Sequence, residues 1–284
     1  AGSAGNAEDD SGRMDARRGA FDEKMRKELL KLIEYRKKAS SRRSDGVFLA
    51  EGEKLFLECD PARILSVAVT EAIGKASPET AGKIKALTER NVKILTVTEN
   101  EFERVSDTKT PQGVLAVVRA YDYSEEELFR DPSGLYVFLD SVQDPGNVGT
   151  IIRSAEAAGV SGVVLNRTSA DVYNPKVIRS TMGSVFRMKF LTTDDLPGLI
   201  KRFRSGGGRV FSACLPGSVP YDAPDYRGKS AFLVGNESRG LSEEVIALSD
   251  ERIRIPMEGR VESLNAAMAA TILMYEAHRQ RSGQ

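Results

Sequence analysis

The stretch AFLVGNESRGLSEEVIALSDERIRIPMEGRVESLNAAMAATIL, residues 231–273, decides the fold of the chain. It contains two apolar runs with the composition of buried strands, Ala231–Val234 and Arg252–Ile255, and each run ends in a turn of glycine, proline and small polar residues. Ligand-binding residues of α/β proteins concentrate at the carboxyl ends of strands, because the turning chain leaves backbone N–H and C=O groups facing a ligand. These two turns are therefore predicted to form the functional site.

The C-terminal half around this stretch alternates short apolar runs with segments of helical spacing. Such alternation is typical of an α/β domain with a mostly parallel sheet. The further strands predicted are Leu135–Leu139, Gly162–Leu165, Val185–Leu191 and Arg209–Ala213. The helices predicted are about Thr150–Ala158, Leu196–Arg204 and Ser263–Arg279.

The N-terminal part predicts a second, smaller α/β unit. Its strands are predicted at Val47–Ala50, Leu65–Thr70, Lys93–Thr98 and Gly113–Arg119. Residues 1–12 are small, polar and acidic, and residues 1–23 are predicted to be a disordered tail. We place the first domain at 24–122, a linker at 123–134, where apolar periodicity is lost, and the second domain at 135–284.

The amino-acid composition is that of a folded protein, and its single histidine and two cysteines predict a mechanism without histidine acid–base chemistry and without a metal. The 284 residues are enough for two cores, and 40% hydrophobic with 29% charged residues is typical of a globular protein. No apolar run is long enough for a membrane span, and the N-terminus lacks a signal-peptide core, so we expect a cytoplasmic protein. Cys59, Cys214 and His278 are far apart in sequence, which predicts neither a disulfide nor a metal site.

Charge is concentrated near the N-terminus. Between Arg13 and Arg43 there are twelve Lys and Arg residues against five Asp and Glu, although the net charge of the chain is zero. A polyanion responds to such a local excess. A solvated amphipathic helix explains the same stretch equally well, so both alternatives stay open on the residues alone.

Common nucleotide and hydrolase motifs are missing from the sequence. Gly146-Asn147-Val148-Gly149 lacks the spacing of a dinucleotide-binding GxGxxG, and there is no P-loop. A Ser-His-Asp triad is excluded in practice, because the only histidine is His278 and no GxSxG precedes a helix.

Three motifs remain, in order along the second domain. They are NxGxxxR at Asn147, Gly149 and Arg153, GNE at Gly235, Asn236 and Glu237, and IPMxGxxESLN from Ile255 to Asn265. Each has an ordinary structural explanation when taken alone: Asn147 as a turn residue, Gly235 as a turn glycine, Ser263 as the cap of the last helix. Their combination on one α/β domain favours a common site.

With these motifs, residues 135–279 resemble the SpoU family, also called TrmH, of RNA 2'-O-ribose methyltransferases in the SPOUT superfamily. Residues 173–180 and Gly183 also fit the pattern of that family. The first domain resembles the L30e-like substrate-binding domain that often precedes it. The matching stretches there are FLAEGEKLFLEC at Phe48–Cys59 and TKTPQGVLAVV at Thr108–Val118.

The resemblance implies a fold, a cofactor and partners. The fold is a SPOUT-type α/β domain with a mostly parallel sheet and a C-terminal deep trefoil knot, preceded by the L30e-like domain. The cofactor is S-adenosylmethionine, the substrate is RNA, and the protein is a homodimer with the cofactor pocket at the subunit interface. The cofactor-binding residues implied are Ala213, Leu215, Gly235, Asn236, Ile255, Met257 and Leu264.

The resemblance also implies catalytic residues. Arg153 matches the catalytic arginine of the family, whose guanidinium would favour negative charge on a ribose oxygen and hold the adjacent phosphate. Asn147 would shape the loop before Arg153. Glu237, Ser263 and Asn265 would line the same pocket, and the proton acceptor stays open. The structural alternative is that Arg153 merely pairs with Glu237 or Glu262.

Ribosomal RNA is the favoured substrate, and transfer RNA is the alternative within the same chemistry. From a different class, a non-catalytic RNA-binding or ribosome-assembly protein on the same fold is also open. A dinucleotide-dependent enzyme is disfavoured because its glycine motif is missing.

Overall fold

A computed structural model describes residues 23–215, 217–261 and 263–283 of the chain. The predicted disordered tail therefore lies outside the described residues, apart from Glu23. The chain divides into two compact units, Ala1–Arg119 and Ala120–Gln284. Among the described residues, no helix has the length and apolar character that crossing a bilayer requires.

Unit 1 is a four-stranded sheet covered by helices. Its strands have the order β1-β4-β2-β3, with β4 antiparallel to β1 and β2, and β2 parallel to β3. The strands are β1 Val47–Glu51, β2 Ile64–Thr70, β3 Lys93–Val97 and β4 Val114–Arg119. The helices are α1 (23–37), α2 Ala39–Asp45, α3 Glu53–Glu58, α4 Glu71–Ala76, α5 Pro78–Glu89 and α6 Glu99–Val105. The apolar face of α1, with Leu29 and Leu32, is buried in the same core as Phe102.

Most cations in the described part of the basic stretch are used within unit 1. Arg42 is buried and donates to the Tyr35 carbonyl at 2.6 Å, and Arg36 donates to the Ser106 carbonyl. Three lysines form ion pairs, namely Lys27–Glu23, Lys31–Asp45 and Lys38–Glu34. The amphipathic-helix alternative thus accounts for much of this charge. The exposed cations left to meet a polyanion are Lys24, Arg26, Lys37 and Arg43.

Unit 2 is built on a seven-stranded sheet with the order β7-β6-β5-β10-β8-β11-β9. Every neighbouring pair is parallel, so the carboxyl ends of all its strands lie along one edge. The strands are β5 Leu135–Asp140, β6 Gly162–Asn166, β7 Phe190–Thr193, β8 Arg209–Ala213, β9 Val219–Pro220, β10 Ser230–Gly235 and β11 Glu251–Arg254. The helices are α7 Glu125–Leu128, α8 Pro145–Ala157, α9 Pro175–Ser180, α10 Leu196–Ser205, α11 Glu243–Ala247 and α12 Ala266–Ser282.

The predicted linker 123–134 contains ordered structure that belongs to unit 2. Residues 125–128 form α7, which Ser124 begins with a capping box to Glu127. Leu128 is 2% exposed and lies in the same core cluster as Phe138 and Phe203. Part of the predicted linker thus packs with unit 2, because Leu128 and Phe129 lie against this core within a stretch that is otherwise largely polar.

Two element boundaries also differ from the prediction. The apolar run Val185–Leu191 is not one strand: Gly183 has φ 98°, Ser184–Phe186 form a 3-10 turn, and β7 begins only at Phe190. The run is apolar because Val185 is buried within the turn. Helix α8 begins at Pro145 instead of about Thr150, because Asp144 caps it by accepting from the Asn147 N–H at 2.9 Å.

The start of the last helix is corrected as well. Ser263 lies before it, and α12 begins at Ala266 with Asn265 as its cap. The Asn265 side-chain oxygen accepts from the backbone N–H of Ala267 at 2.9 Å and of Met268 at 3.2 Å. An asparagine oxygen satisfies the free N–H groups of a helix start as well as serine does, which is why the sequence alone did not separate the two.

Candidate active site

A pocket of about 440 Å³ opens at the carboxyl edge of the sheet of unit 2. The chain segments that follow β8, β10 and β11 form it, together with the start of α12. All seven residues predicted to bind the cofactor line it, namely Ala213, Leu215, Gly235, Asn236, Ile255, Met257 and Leu264. Of the residues predicted to be catalytic, Glu237 and Ser263 line it.

The pocket lining combines buried apolar side chains with polar side chains, most of which belong to the segment 236–243. Val234, Leu241, Ile253 and Leu273 contribute buried side chains, and strand-end backbone supplies N–H and C=O groups. Such a lining suits a flat heterocycle that packs against side chains while the main chain binds its edge. Cys214 also lines the pocket, but burial raises the pKa of its thiol, so it stays protonated at neutral pH.

Gly235 brings two backbone segments closer than any side chain would permit. A Cβ atom added there would lie 2.3 Å from Gly240 C and 2.3 Å from Leu241 N. The turn that follows is closed by paired backbone bonds between Asn236 and Gly240, at 3.0 and 2.9 Å. The glycine of the GNE motif therefore allows the backbone of Gly240 and Leu241 to pack directly against the end of β10 at the pocket.

Side chains of all three motifs join in one hydrogen-bond chain. The Asn265 amide nitrogen donates to the Asn147 side-chain oxygen at 2.9 Å, and the Asn147 nitrogen donates to Glu237 at 3.0 Å. Glu237 also accepts the backbone N–H groups of Gln143 at 3.2 Å and Asp144 at 3.1 Å. Asn147, only 9% exposed, is the central member. This chain, called the motif relay below, ties the start of α8 to the pocket loop and to α12.

Glu237 is held as a carboxylate by the motif relay. Burial raises its pKa, but hydrogen bonds from Asn147 and from backbone N–H groups outweigh it, and the pKa is lowered below 4.5. A carboxylate with a depressed folded-state pKa stabilises the fold above its unfolded pKa, and the stabilisation is lost as pH falls through the folded value. The relay is therefore intact at neutral pH and weakens only in acid.

Replacing Asn147 with aspartate is expected to lower the free energy of unfolding by about 1–3 kcal/mol at pH 7. Aspartate cannot donate to Glu237, and its charge opposes the Glu237 carboxylate directly. Urea denaturation measures the effect. The matched control is Asn174→Asp, because Asn174 caps α9 by accepting from the Lys176 N–H, which aspartate also does. Equal stability of both variants and the unmodified chain would contradict the relay.

Arg153 is not among the residues that line the pocket. It lies six residues after Asn147, about 120° around α8, on the exposed face. Within the described part of the chain its guanidinium has no hydrogen-bond or ion-pair partner. Of its two suggested partners, Glu237 binds α8 and Asn147 instead, and Glu262 lies outside the described residues. The guanidinium is presented outward.

A second polar network, which was not predicted from the sequence, holds the loop 236–242 against the end of β5. Asp140 ends β5 and is only 6% exposed. Its carboxylate accepts from the backbone N–H of Ser242 at 2.9 Å, from the Ser242 hydroxyl at 2.8 Å and from the Asn166 side-chain amide at 2.8 Å. The Asn236 amide donates to the Ser141 carbonyl at 2.8 Å. Both ends of the loop 236–242 are thus fixed to β5. The signal available in the sequence was a carboxylate that ends an otherwise apolar strand.

An all-parallel sheet with an apolar pocket and a polar relay at its carboxyl edge defines a cofactor-binding α/β domain. A model described as the SpoU rRNA Methylase family matches residues 134–275, and one described as the MRM3-like substrate binding domain matches residues 27–116. The chain belongs to the SpoU rRNA methylase family. The family and enzyme class predicted from the sequence are confirmed, whereas the trefoil knot and the roles of single residues stay predictions.

Relatives and solved structures agree with this assignment over most of the chain. The 23S rRNA (guanosine(2553)-2'-O)-methyltransferase RlmP of Bacillus subtilis is 34% identical over 236 residues, 82% of this chain and 89% of that protein. The SpoU methyltransferase AviRb of Streptomyces viridochromogenes is 26% identical with a TM-score of 0.80, over 90% and 98% of the two chains. An AdoMet-bound rRNA methyltransferase of Sinorhizobium meliloti is 31% identical with a TM-score of 0.77, over 88% and 94%.

Proposed function

We propose that the protein transfers a methyl group from S-adenosylmethionine to the 2'-hydroxyl of a ribose in ribosomal RNA, in the cytoplasm. The observation that carries this proposal is the motif relay, in which side chains of all three motifs meet beside one pocket. The names of the relatives, which are rRNA methyltransferases, support the substrate class.

The pocket fits this cofactor in size and polarity. Ile255, Met257 and Leu264 would pack against the adenosine, and backbone groups around Leu215 and Gly235 would bind the edge of the base. The absence of a side chain at Gly235 lets the backbone of Gly240 and Leu241, which also line the pocket, pack directly against the end of β10. When bound, the cofactor supplies an electrophilic methyl group on a sulfonium.

The protein must align the ribose and make its oxygen more nucleophilic. We assign the second task to Arg153, because a guanidinium near the ribose favours negative charge on the oxygen and holds the neighbouring phosphate. The motif relay fixes the first turn of α8, the helix that carries Arg153. Glu237, with its lowered pKa and several donors, anchors this arrangement as a positioning residue, with Asn147 and Asn265 as its partners.

We also propose a homodimer with the pocket at the subunit interface, as the family resemblance implies. Unit 2 carries large exposed apolar side chains near the pocket, Leu215 at 56% and Val261 at 62% exposure. Met268 and Tyr275, exposed at 61% and 46%, share one face of α12. Exposed apolar side chains grouped in this way are typical of a protein interface.

A double substitution of Met268→Asp and Tyr275→Asp is expected to convert the dimer into monomers, because two carboxylates would have to be buried in the interface. Light scattering after gel filtration should then give one chain mass of 31.0 kDa instead of two. Leu30→Asp in α1 of unit 1, at 52% exposure, is the matched control and should leave the mass unchanged. A double variant that stays dimeric would contradict this choice of interface.

Unit 1 would bind the RNA, consistent with its match to a substrate-binding domain. Its exposed cations Lys24, Arg26, Lys37 and Arg43 would contact phosphates, which position an RNA without reading its sequence.

Two measurements test the proposed function on the full chain. Calorimetry with S-adenosylmethionine should give binding, whereas no binding near millimolar ligand would favour a non-catalytic RNA-binding protein. Incubation with methyl-labelled cofactor and either ribosomal or transfer RNA should label ribosomal RNA, at an alkali-resistant 2'-O-methylated position. Label in transfer RNA alone would assign the substrate to the alternative class.

A further inference from the structure

Arg239 is a cation at the pocket that the mechanism above does not use. It lies in the turn between Asn236 and Gly240, it is exposed, and it lines the pocket. No described residue forms a hydrogen bond or an ion pair with its guanidinium. A charged side chain at the pocket opening with no protein partner there is available to an incoming anion.

The backbone of Arg239 is held in place although its side chain extends into solvent. The Asn236 side-chain oxygen accepts from the N–H of Ser238 at 3.0 Å and of Arg239 at 3.1 Å. The Asn236 nitrogen is fixed to the Ser141 carbonyl at 2.8 Å. Because Asn236 and Gly240 also exchange two backbone bonds, the turn presents Arg239 from a rigid platform.

Two acidic side chains, Glu237 and Glu243, also line the pocket, and neither forms an ion pair with the Arg239 guanidinium. Glu237 directs its carboxylate to Asn147 and to backbone N–H groups of the α8 start. Glu243 lies at the start of α11, where a carboxylate is stabilised by the free N–H groups of the first turn. Neither carboxylate pairs with Arg239, so its guanidinium is accessible at a site whose proposed substrate is a polyanion.

We propose that Arg239 binds a backbone phosphate of the RNA next to the ribose that is methylated. This inference rests on the proposed function and adds a substrate-binding residue to it. The ribose oxygen must reach the methyl group in the pocket, so the phosphates that flank that ribose must lie at the pocket opening, where Arg239 is. An arginine suits this task because its planar fork matches two phosphate oxygens.

The phosphate is a better ligand for Arg239 than the cofactor. Val234, Ile253 and Leu273 give the pocket a buried apolar part, whereas Arg239 is exposed in the turn between Asn236 and Gly240. Backbone contacts to phosphate also set the register of an RNA without reading its bases. Arg239 would thus position the target nucleotide through its phosphate, and other residues would recognise its base.

Equilibrium binding of a ribosomal RNA fragment to the full chain, without turnover, tests the proposal. Arg239→Ala is expected to raise the dissociation constant about tenfold and to lower the slope of log affinity against log salt by about 1. Arg239→Lys should restore part of the affinity. The affinity for S-adenosylmethionine, measured by calorimetry, should not change. Arg130→Ala is the matched control, because Arg130 is exposed and precedes β5 at the amino edge of the sheet.

Unchanged RNA affinity and salt slope in Arg239→Ala would overturn the proposal. So would weaker cofactor binding with RNA binding retained, because Arg239 would then hold the methionine carboxylate. The binding measurement needs no methyl transfer, so it decides the role of Arg239 even if the chain proves non-catalytic. Failure of the unmodified chain to methylate RNA would instead count against the proposed function.

Discussion

Replacing Arg153 with alanine is expected to lower kcat for methyl transfer by about 10²–10³-fold and to leave the affinity for S-adenosylmethionine unchanged. The guanidinium has no partner among the described residues and does not line the pocket, so its removal disturbs neither the fold nor the cofactor site. The negative charge that develops on the ribose oxygen would lose its stabilising cation. Single-turnover methylation and calorimetry, run side by side, measure the two quantities.

Two variants sharpen this test. Arg153→Lys keeps the charge without the planar fork and should recover only part of the rate, since a lysine cannot bind a phosphate in the same bidentate way. Arg130→Ala removes an exposed arginine at the other edge of the sheet and should leave the rate unchanged. A loss of cofactor affinity in Arg153→Ala would refute the catalytic role and make Arg153 a structural residue of the pocket.

The sheet of unit 2 was predictable because its signal is local. Four of its strands, β5, β6, β8 and β10, contain short apolar runs that are largely buried, and parallel strands buried on both faces have such runs whatever their neighbours are. The rule that sites lie at the carboxyl ends of such strands predicted a site in the segments after β10 and β11, and both segments line the pocket. The segment after β8, which also lines it, was predicted only from the family resemblance. Two-residue β9 was missed because it is too short to carry a pattern.

The connections within the site could not be predicted, because they join residues that are distant in sequence. Glu237 is ninety residues from Asn147, and Asn265 is 118 residues from it, yet the motif relay links all three. Asp140 meets Ser242 across 102 residues. The same limitation explains the wrong strand prediction at Val185–Leu191. A valine buried in a turn, such as Val185, cannot be distinguished in the sequence from a valine buried in a strand. Local patterns identify the loops, but only their packing identifies the partners.

Gly235→Ala is expected to weaken S-adenosylmethionine binding by about 100-fold, because the added methyl group has no space. It would meet backbone atoms of Gly240 and Leu241, which cannot rotate away as a side chain can. The loop 236–242 must then shift as a unit, and it carries the pocket wall together with Glu237 and the start of the motif relay. Calorimetry measures the loss, and urea denaturation reports any accompanying fall in stability.

A glycine at the other end of the same strand separates the pocket effect from a general cost of adding a methyl group. Gly228 precedes β10, and a Cβ atom built there has no neighbour within 4 Å, so Gly228→Ala should bind the cofactor like the unmodified chain. Equal binding by both variants would mean that the loop tolerates displacement and that its close approach to the strand end does not set the pocket. Loss of binding only in Gly235→Ala would identify this backbone contact as a determinant of cofactor affinity. Both variants add one methyl group near an end of β10, and only the group at Gly235 lies at the pocket.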